Sequence, residues 1–458
     1  MEGLGINFKS RRIAIIDGDK KVNYIELKKN VLKTLYYLRK KKIIRNSKVL
    51  VSIDNSAEYI YLYLASIINN SIIIPINKRD YQKSKKNIIK HLSPDLIIDK
   101  KDNLEEIYES KEYNNKIKFN PNKVFSIFFS SGTEGEAKGI AHSYLSLRLS
   151  AENFIKQNNL NTYTTFLQFL PLSYMAGFLN SILCILLVNG KIIVNRDFDF
   201  KFLLNFPKLI DKFKINTIWL TPSNLLLITE MYSGKKIIKK IKTLKKIFVG
   251  TAPLNNKDKH DFEEKFKRKV FNSYGLSEVL FISCANKKNH NGVGQVLKNQ
   301  IIKINKKNEI LIKNNTFFKY YMIKNKKIFP KLFKNYFNTG DLGYLDKKQN
   351  LHIVGRSKDI IIKAGENIYP SNIENLVANK KLIKEICIFG FNDNINGEEI
   401  GAAVIKKSKV SNVSIIKSFK TKLTSFHFPK KIYFVKKLPK SNNGKILKNK
   451  LKQSLLLQ

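Results

Sequence analysis

Cysteine is scarce in this chain of 458 residues. The three present, Cys184, Cys284 and Cys387, are far apart and odd in number, which argues against a disulfide framework or a zinc site. Long apolar runs are missing as well. No stretch reaches the ~18 residues that a membrane span needs. The longest candidate, Phe178 to Val188, carries Asn180 and Ser181 and reads as part of a core. Met1 to Arg12 lacks the apolar segment of a signal peptide, so a cytoplasmic protein with no integral membrane association is expected. Acidic residues are the third shortage: 36 Asp and Glu against 84 Lys and Arg leave a net charge of +48. Such an excess can serve nucleic acid or an anionic surface. Here it is nearly all lysine, spread from end to end, and it travels with many Asn and Ile residues. All three have codons rich in A and T, so a biased genome accounts for the trend. No RNA-binding aromatic motif or zinc-finger spacing is present, and no nucleic-acid partner is expected.

What is there is enough apolar residue, 43%, for one large core or two to three domains. From Ala14 to about Asp99, strand-like and helix-like runs alternate. Asn23 opens a helical pattern reaching Leu38, Lys48 to Ile53 and Ser71 to Ile76 read as strands, and Asp54-Asn55-Ser56 as a turn and helix cap. This alternation predicts an open α/β sheet.

The chemistry is concentrated in a few stretches. After the apolar run Val124 to Phe129 comes Ser130-Ser131-Gly132-Thr133-Glu134-Gly135-Glu136-Ala137-Lys138-Gly139. Its glycines let backbone N–H groups approach phosphate oxygens, its hydroxyls donate to them, and its lysine adds a mobile charge. It is not a Walker A loop, which needs Gly before the lysine and Ser or Thr after it. Strand Lys246 to Val249 runs into Gly250-Thr251-Ala252, small residues that leave room for a flat ring at a strand's carboxyl end. In Asn272-Ser273-Tyr274-Gly275-Leu276-Ser277-Glu278, an aromatic can cover a purine, a hydroxyl can donate to a phosphate and a carboxylate can hold a hard cation. Gly292-Val293-Gly294, Glu309 to Ile312 and Tyr320-Tyr321 read as short strands and turns. Asp341, in Phe337-Asn338-Thr339-Gly340-Asp341, reads as a loop-tip carboxylate able to accept both hydroxyls of a ribose. Gly355 to Pro370 sets a charged pivot before an apolar strand and a glycine turn, which suits a moving domain boundary. Ile386 to Gly390 and Gly401 to Ile405 read as the strands of a small α+β unit, and Pro439 to Lys445 as a flexible loop presenting a lysine.

Taken together and in this order, these motifs resemble those of the adenylate-forming superfamily, which includes acyl- and aryl-CoA synthetases. The resemblance covers essentially the whole chain. It departs from the family pattern at Glu134, where a hydroxyl is usual, and at Ala137, where a proline is usual. It implies a large N-terminal domain of αβ-layered subdomains plus a small β-barrel over residues 1–354. A hinge at 355–358 and a small mobile α+β domain over 359–458 would follow. By resemblance, ATP is held by Ser130, Ser131, Gly132, Thr133, Gly135, Lys138, the Gly250–Ala252 turn, Asn272, Tyr274, Gly275, Ser277, Asp341 and Arg356. Glu278 holds Mg²⁺, His142 orients the loop or the phosphates, and Tyr174 gates the carboxylate pocket. Lys358 is the hinge residue, Lys445 the catalytic lysine of adenylate formation, and Gly365 enters for the second step.

The implied reaction is attack of a carboxylate on the α-phosphorus of ATP, then transfer of the acyl group to a thiol. That thiol is coenzyme A, or alternatively the phosphopantetheine of a separate acyl carrier protein. An adenylating enzyme without thioester chemistry and a catalytically impaired homologue are the other readings. Aspartate is absent around Tyr174, which disfavours an α-amino acid. Apolar residues near Tyr174, Thr251 and Val279-Leu280-Phe281 favour a fatty or aryl acid.

Overall fold

The computed structural model describes residues 1–100, 102–130, 138–196, 198–379, 381–440 and 446–456. Among them the strands form sheets of nine, seven, five and four strands. The chain folds as two compact units. One takes in the described residues up to Ile301 together with Lys313–Lys331, the other Ile302–Ile312 and the described residues from Leu332 onward.

In the first unit, the nine-stranded sheet has a parallel centre in the order Val270–Leu276, Lys246–Val249, Thr217–Leu220, Thr165–Gln168, Lys191–Val194, Ile13–Asp17. Helices cover such strands on both faces, which is why runs such as Thr-Ile-Trp-Leu are continuously apolar rather than alternating. The seven-stranded sheet runs Lys326–Ile328, Tyr320–Ile323, Lys138–Ser143, Val124–Ser130, Ile72–Pro75, Lys48–Val51, Leu96–Ile98. Pro75 ends its strand rather than interrupting it. Ser56 caps Ala57–Asn69, Ser143 caps Tyr144–Asn158, and Thr221 with Asn224 forms a reciprocal cap on Pro222–Met231. The apolar run from Phe178 becomes one turn of π-helix, Leu179–Leu183, flanked by short α segments. Its side chains from Phe178 to Leu186 are buried. Among the described residues, no helix is long and apolar enough to cross a membrane.

Residues 292–322, from which the resemblance implies a small β-barrel, divide their strands among three sheets. Gln295–Val296 lies in the nine-stranded one and Tyr320–Ile323 in the seven-stranded one. Ile301–Ile304 and Glu309–Lys313 lie in a four-stranded sheet of order Ile301–Ile304, Glu309–Lys313, Phe337–Leu345, Leu351–Arg356. Gly292-Val293-Gly294 is a turn, and the strand there is the short Gln295–Val296. The C-terminal residues form an α+β arrangement. The long hairpin Ile383–Asp393 and Gly397–Lys406 is joined in parallel by Lys431–Phe434 and packed by Pro370–Val377 and Asn412–Lys420. Its core includes Ile361, Ile373, Ile388, Ile400, Ile415 and Phe419. All three cysteines are buried free thiols.

Candidate active site

The glycine-rich stretch joins two antiparallel strands, Val124–Ser130 and Lys138–Ser143, with Ser130 opposite Lys138. Ser131, Gly132, Thr133 and Gly135 lie outside the described residues, as do Glu134 and Ala137. Gly139 has no room for a side chain: a Cβ would stand 2.6 Å from Ile127 and 2.9 Å from Phe129. Lys138, at the mouth of the loop, is exposed. Four residues on, His142 is fully buried, and its Nε2–H donates to the Ser277 carbonyl at 2.6 Å. Burial outweighs that hydrogen bond and lowers the imidazole to about 4, so it is neutral at pH 7. Its Nδ1 has no partner among the described residues.

The strand Val270–Leu276 carries Asn272 and Tyr274 and breaks into a turn at Ser277 to Val279. It is longer than the apolar pair Val270-Phe271 alone would predict. Gly275 makes the hairpin possible, because a Cβ there would meet the Leu280 carbonyl oxygen at 2.4 Å. Glu278 is half-buried, and its Oε1 accepts the Tyr321 hydroxyl at 3.2 Å. Burial first, and then the Glu278 charge, raise the Tyr321 hydroxyl above its ordinary value, so it remains a donor. Tyr321 stands opposite Ile140 in the sheet. The strand leaving the glycine-rich loop therefore reaches this motif twice, once through His142 and once through its neighbour Tyr321.

At the carboxyl ends of the parallel strands, Val249 pairs with Asn272 and Leu220 with Val249. The next residue, Gly250, lies so close to Trp219 and to the Ser273 carbonyl that a Cβ would meet them at 3.0 and 3.1 Å. Thr251 has φ +73°, a left-handed conformation unusual for a β-branched residue and often stored at binding sites. Ala252 follows in the same bend. Tyr174, half-buried, is the N-cap of Met175–Phe178, shortly after the carboxyl end of Thr165–Gln168. Gly177 closes that turn against the Pro171 carbonyl.

In the second unit, Asp341 is not at a loop tip. It lies inside the strand Phe337–Leu345, 5% exposed, directly opposite Arg356. Arg356 Nε meets Asp341 Oδ1 at 2.9 Å, and the Asp341 N–H donates to Thr339 Oγ1 at 3.1 Å. A buried carboxylate needs a partner such as the Arg356 guanidinium, and burial in a strand fixes it more firmly than a loop would. Lys358 lies exposed in the turn Ser357–Asp359. Ala364 and Gly365, both with positive φ, form the two-residue turn between Ile361–Lys363 and Glu366–Ile368. Lys445 lies outside the described residues. The ends of its loop are closed by a bridge between Lys440 and Ile446 and by the Leu447 N–H on the Pro439 carbonyl at 2.8 Å.

A family model for AMP-binding enzymes matches residues 6–321, and one for the C-terminal domain of AMP-binding enzymes matches residues 372–445. This chain belongs to the AMP-binding enzyme family. Among its relatives, 2-succinylbenzoate–CoA ligase of Listeria monocytogenes is 27% identical over 337 residues, spanning 72% of this chain and 70% of the relative. Its fold is similar to that of ATP-bound MatB from Rhodopseudomonas palustris: TM-score 0.87, 20% identity, 97% of this chain and 96% of the other. It is also similar to o-succinylbenzoate coenzyme A synthetase from Bacillus subtilis in complex with ATP and magnesium ion. There the TM-score is 0.83 at 21% identity, over 96% of this chain and 97% of the other.

Within this AMP-binding chain, the residues of the first unit fit a nucleotide and a divalent cation. Glu278 offers a half-buried carboxylate oxygen, the donor a hard cation prefers. Gly250 brings its backbone into close contact with Trp219 and the Ser273 carbonyl, an approach that a side chain would crowd. Tyr321, the partner of Glu278, carries no motif of its own and is marked in the sequence only as part of the short strand at Tyr320-Tyr321.

Proposed function

We propose that this enzyme activates a carboxylic acid with ATP to an acyl-adenylate and passes the acyl group to coenzyme A, releasing AMP and pyrophosphate. The observation that carries this reading is the double tie of the Lys138–Ser143 strand and its neighbour Tyr320–Ile323 to the Asn272–Glu278 motif, through His142 on Ser277 and Tyr321 on Glu278. It holds the strand that begins at Lys138 beside the turn that carries Glu278, which supports a lysine for phosphate, an aromatic for the purine and a carboxylate for the cation in one site. Carboxylate and triphosphate repel each other, so the site must neutralise charge as they meet. Lys138 and the loop amides do so from one side. Magnesium bound at Glu278 supplies Lewis-acid neutralisation of the phosphate oxygens. Tyr274 covers the adenine, Asp341 with Arg356 beside it takes the ribose, and Lys445 assists adenylate formation. Lys358 serves as the pivot about which residues 359–458 turn, exchanging Lys445 for the Gly365 turn at the second step.

The test is pyrophosphate release from ATP and Mg²⁺ over a panel of carboxylic acids, with and without coenzyme A. Acid-dependent release together with an acyl-CoA product is expected. Release with no acid tried would leave a binding protein. Thioester formed only on a supplied carrier protein would move the acceptor from coenzyme A to phosphopantetheine.

A further inference from the structure

The hairpin Ile361–Lys363 and Glu366–Ile368 carries Ala364 and Gly365 at an exposed tip. Two strands of three residues are too short to hold their own position in water. Packing does not hold the tip either, because a Cβ on Gly365 would meet nothing within 4 Å. The hairpin pairs with the strand Gly397–Lys406 where Lys363 stands opposite Gly397. Its base, however, is buried and charged. Lys363 Nζ meets Glu399 Oε2 at 3.0 Å, with the two side chains 11% and 5% exposed. The same ammonium donates to the Phe426 carbonyl at 2.9 Å and stands 5.0 Å from the centre of the Phe426 ring. The other carboxylate oxygen of Glu399 accepts from Asn396 Nδ2 at 2.8 Å. The Asn396 carbonyl in turn accepts the Ala364 N–H at 2.8 Å. A closed ring of bonds therefore leaves Lys363 by its side chain and returns to the backbone of the next residue.

A buried ion pair is a weak source of stability, since apolar residues of similar volume often serve as well or better. Apolar residues lack direction, and this ring of bonds sets where the Ala364-Gly365 tip points. We propose that Lys363 and Glu399 are positioning residues for transfer of the acyl group to the thiol, holding the Gly365 turn as that step requires. In it the coenzyme A sulfur bonds to the acyl carbon and the thiol proton is released. The bond from that carbon to the AMP oxygen breaks, and its electrons leave on AMP. The proposal rests on the reading under Proposed function, which brings this turn in at the second step, and adds the residues that aim it. As anchors of that turn they bear on the second step and not on adenylate formation.

The experiment uses the full chain, an acid turned over on the panel, and the separately prepared adenylate of that acid. Lys363→Met and Glu399→Gln are expected to slow thioester formation from adenylate and coenzyme A about ten- to hundredfold in kcat. ATP–pyrophosphate exchange with the acid should stay within about threefold of native. The double variant Lys363→Met with Glu399→Leu separates position from stability. Its denaturant midpoint should match or exceed the native one, while thioester formation stays slow. Hydrogen exchange of the peptide 361–368 needs no acid, and is expected to quicken in all three variants. Gly365→Val is the control: φ +83° strains a β-branched residue there, and the second step should slow. Slow thioester formation in Gly365→Val with native rates in the pair variants would overturn the proposal. So would equal loss in both steps, recovered thioester formation in a stable double variant, or unchanged exchange at the turn. Should Lys363→Met fail to fold, the double variant and Glu399→Gln decide. Native rates for Gly365→Val, or no adenylate with any acid, defeat the reading under Proposed function instead.

Discussion

His142 shows how one residue can join two motifs through a single hydrogen bond. Buried and neutral, it donates from Nε2 to the Ser277 carbonyl. Its folded value of about 4 lies below the ordinary value of about 6.5. Above pH ~6.5 neither the folded nor the unfolded state carries this proton, and the group leaves stability unchanged. As pH falls from there toward 4, the unfolded chain takes up a proton that the folded chain refuses, so stability is lost across that window. The loss reaches about 2–3 kcal/mol near pH ~4.5. Denaturant midpoints measured between pH ~7 and ~4.5 should therefore fall more steeply for the native enzyme than for His142→Gln, which can still donate but does not titrate. Parallel curves would refute this linkage. The sequence identifies His142 as a residue near the phosphate loop. Its partner is hidden there, because the bond spans 135 positions and ends on a backbone carbonyl, which any residue type provides.

Among the elements, the strands were the most legible. Lys48–Val51, Thr217–Leu220 and Lys246–Val249 are dense in β-branched and aromatic residues and bounded by turn signals. Two elements ran against local reading. Phe337–Leu345 contains Asn338, Thr339 and Gly340, all turn formers, and Gly340 does take a positive φ where the register with Glu309–Lys313 shifts. Pairing with Leu351–Arg356 and Glu309–Lys313 on either side nevertheless keeps the segment in the sheet. Tertiary pairing overrides propensity there. Val270–Leu276 likewise continues through Asn272 and Gly275 because Lys246–Val249 and Leu280–Cys284 flank it on either side. The Gly275 hairpin supplies a prediction at this scale. Gly275→Ala places a methyl group 2.4 Å from the Leu280 carbonyl oxygen, and relieving it must move Tyr274 or Ser277. A stability loss of about 1–3 kcal/mol is expected, with acid-dependent pyrophosphate release reduced at least about tenfold. Unchanged activity would show that the hairpin does not need its present closeness.

For the whole molecule, the order of motifs along the chain was enough to identify its family, because each is a local string of special residues. The boundary between compact units was less legible. It runs through 301–302, 312–313 and 331–332, inside a region of short strands with no linker composition, and it reflects which segments pack together. Neither does the compositional excess of lysine distinguish one lysine from another. Lys440, for example, pairs with Glu385 at 2.6 Å, five positions before the lysine to which the resemblance gives a catalytic part. The division of labour assigned to that residue gives a prediction for the enzyme as a whole. Lys445→Ala should reduce adenylate formation by two orders of magnitude or more, on the scale of a lost charge-stabilising donor. Thioester formation from supplied acyl-adenylate should stay within about threefold of native. Equal loss in both assays would contradict a lysine that serves one step only.

The three enclosed thiols have a practical corollary. Cys184 and Cys284 are in the first unit and Cys387 in the second. Burial pushes Cys284 and Cys387 each up to about 12 and raises Cys184 as well. An alkylating reagent attacks only thiolate that it can reach, so none of these sulfurs reacts while its own surroundings stay closed. Each unit thus contains a clock for its own opening, and peptide mapping after timed exposure to reagent would tell whether the two come apart together or in sequence.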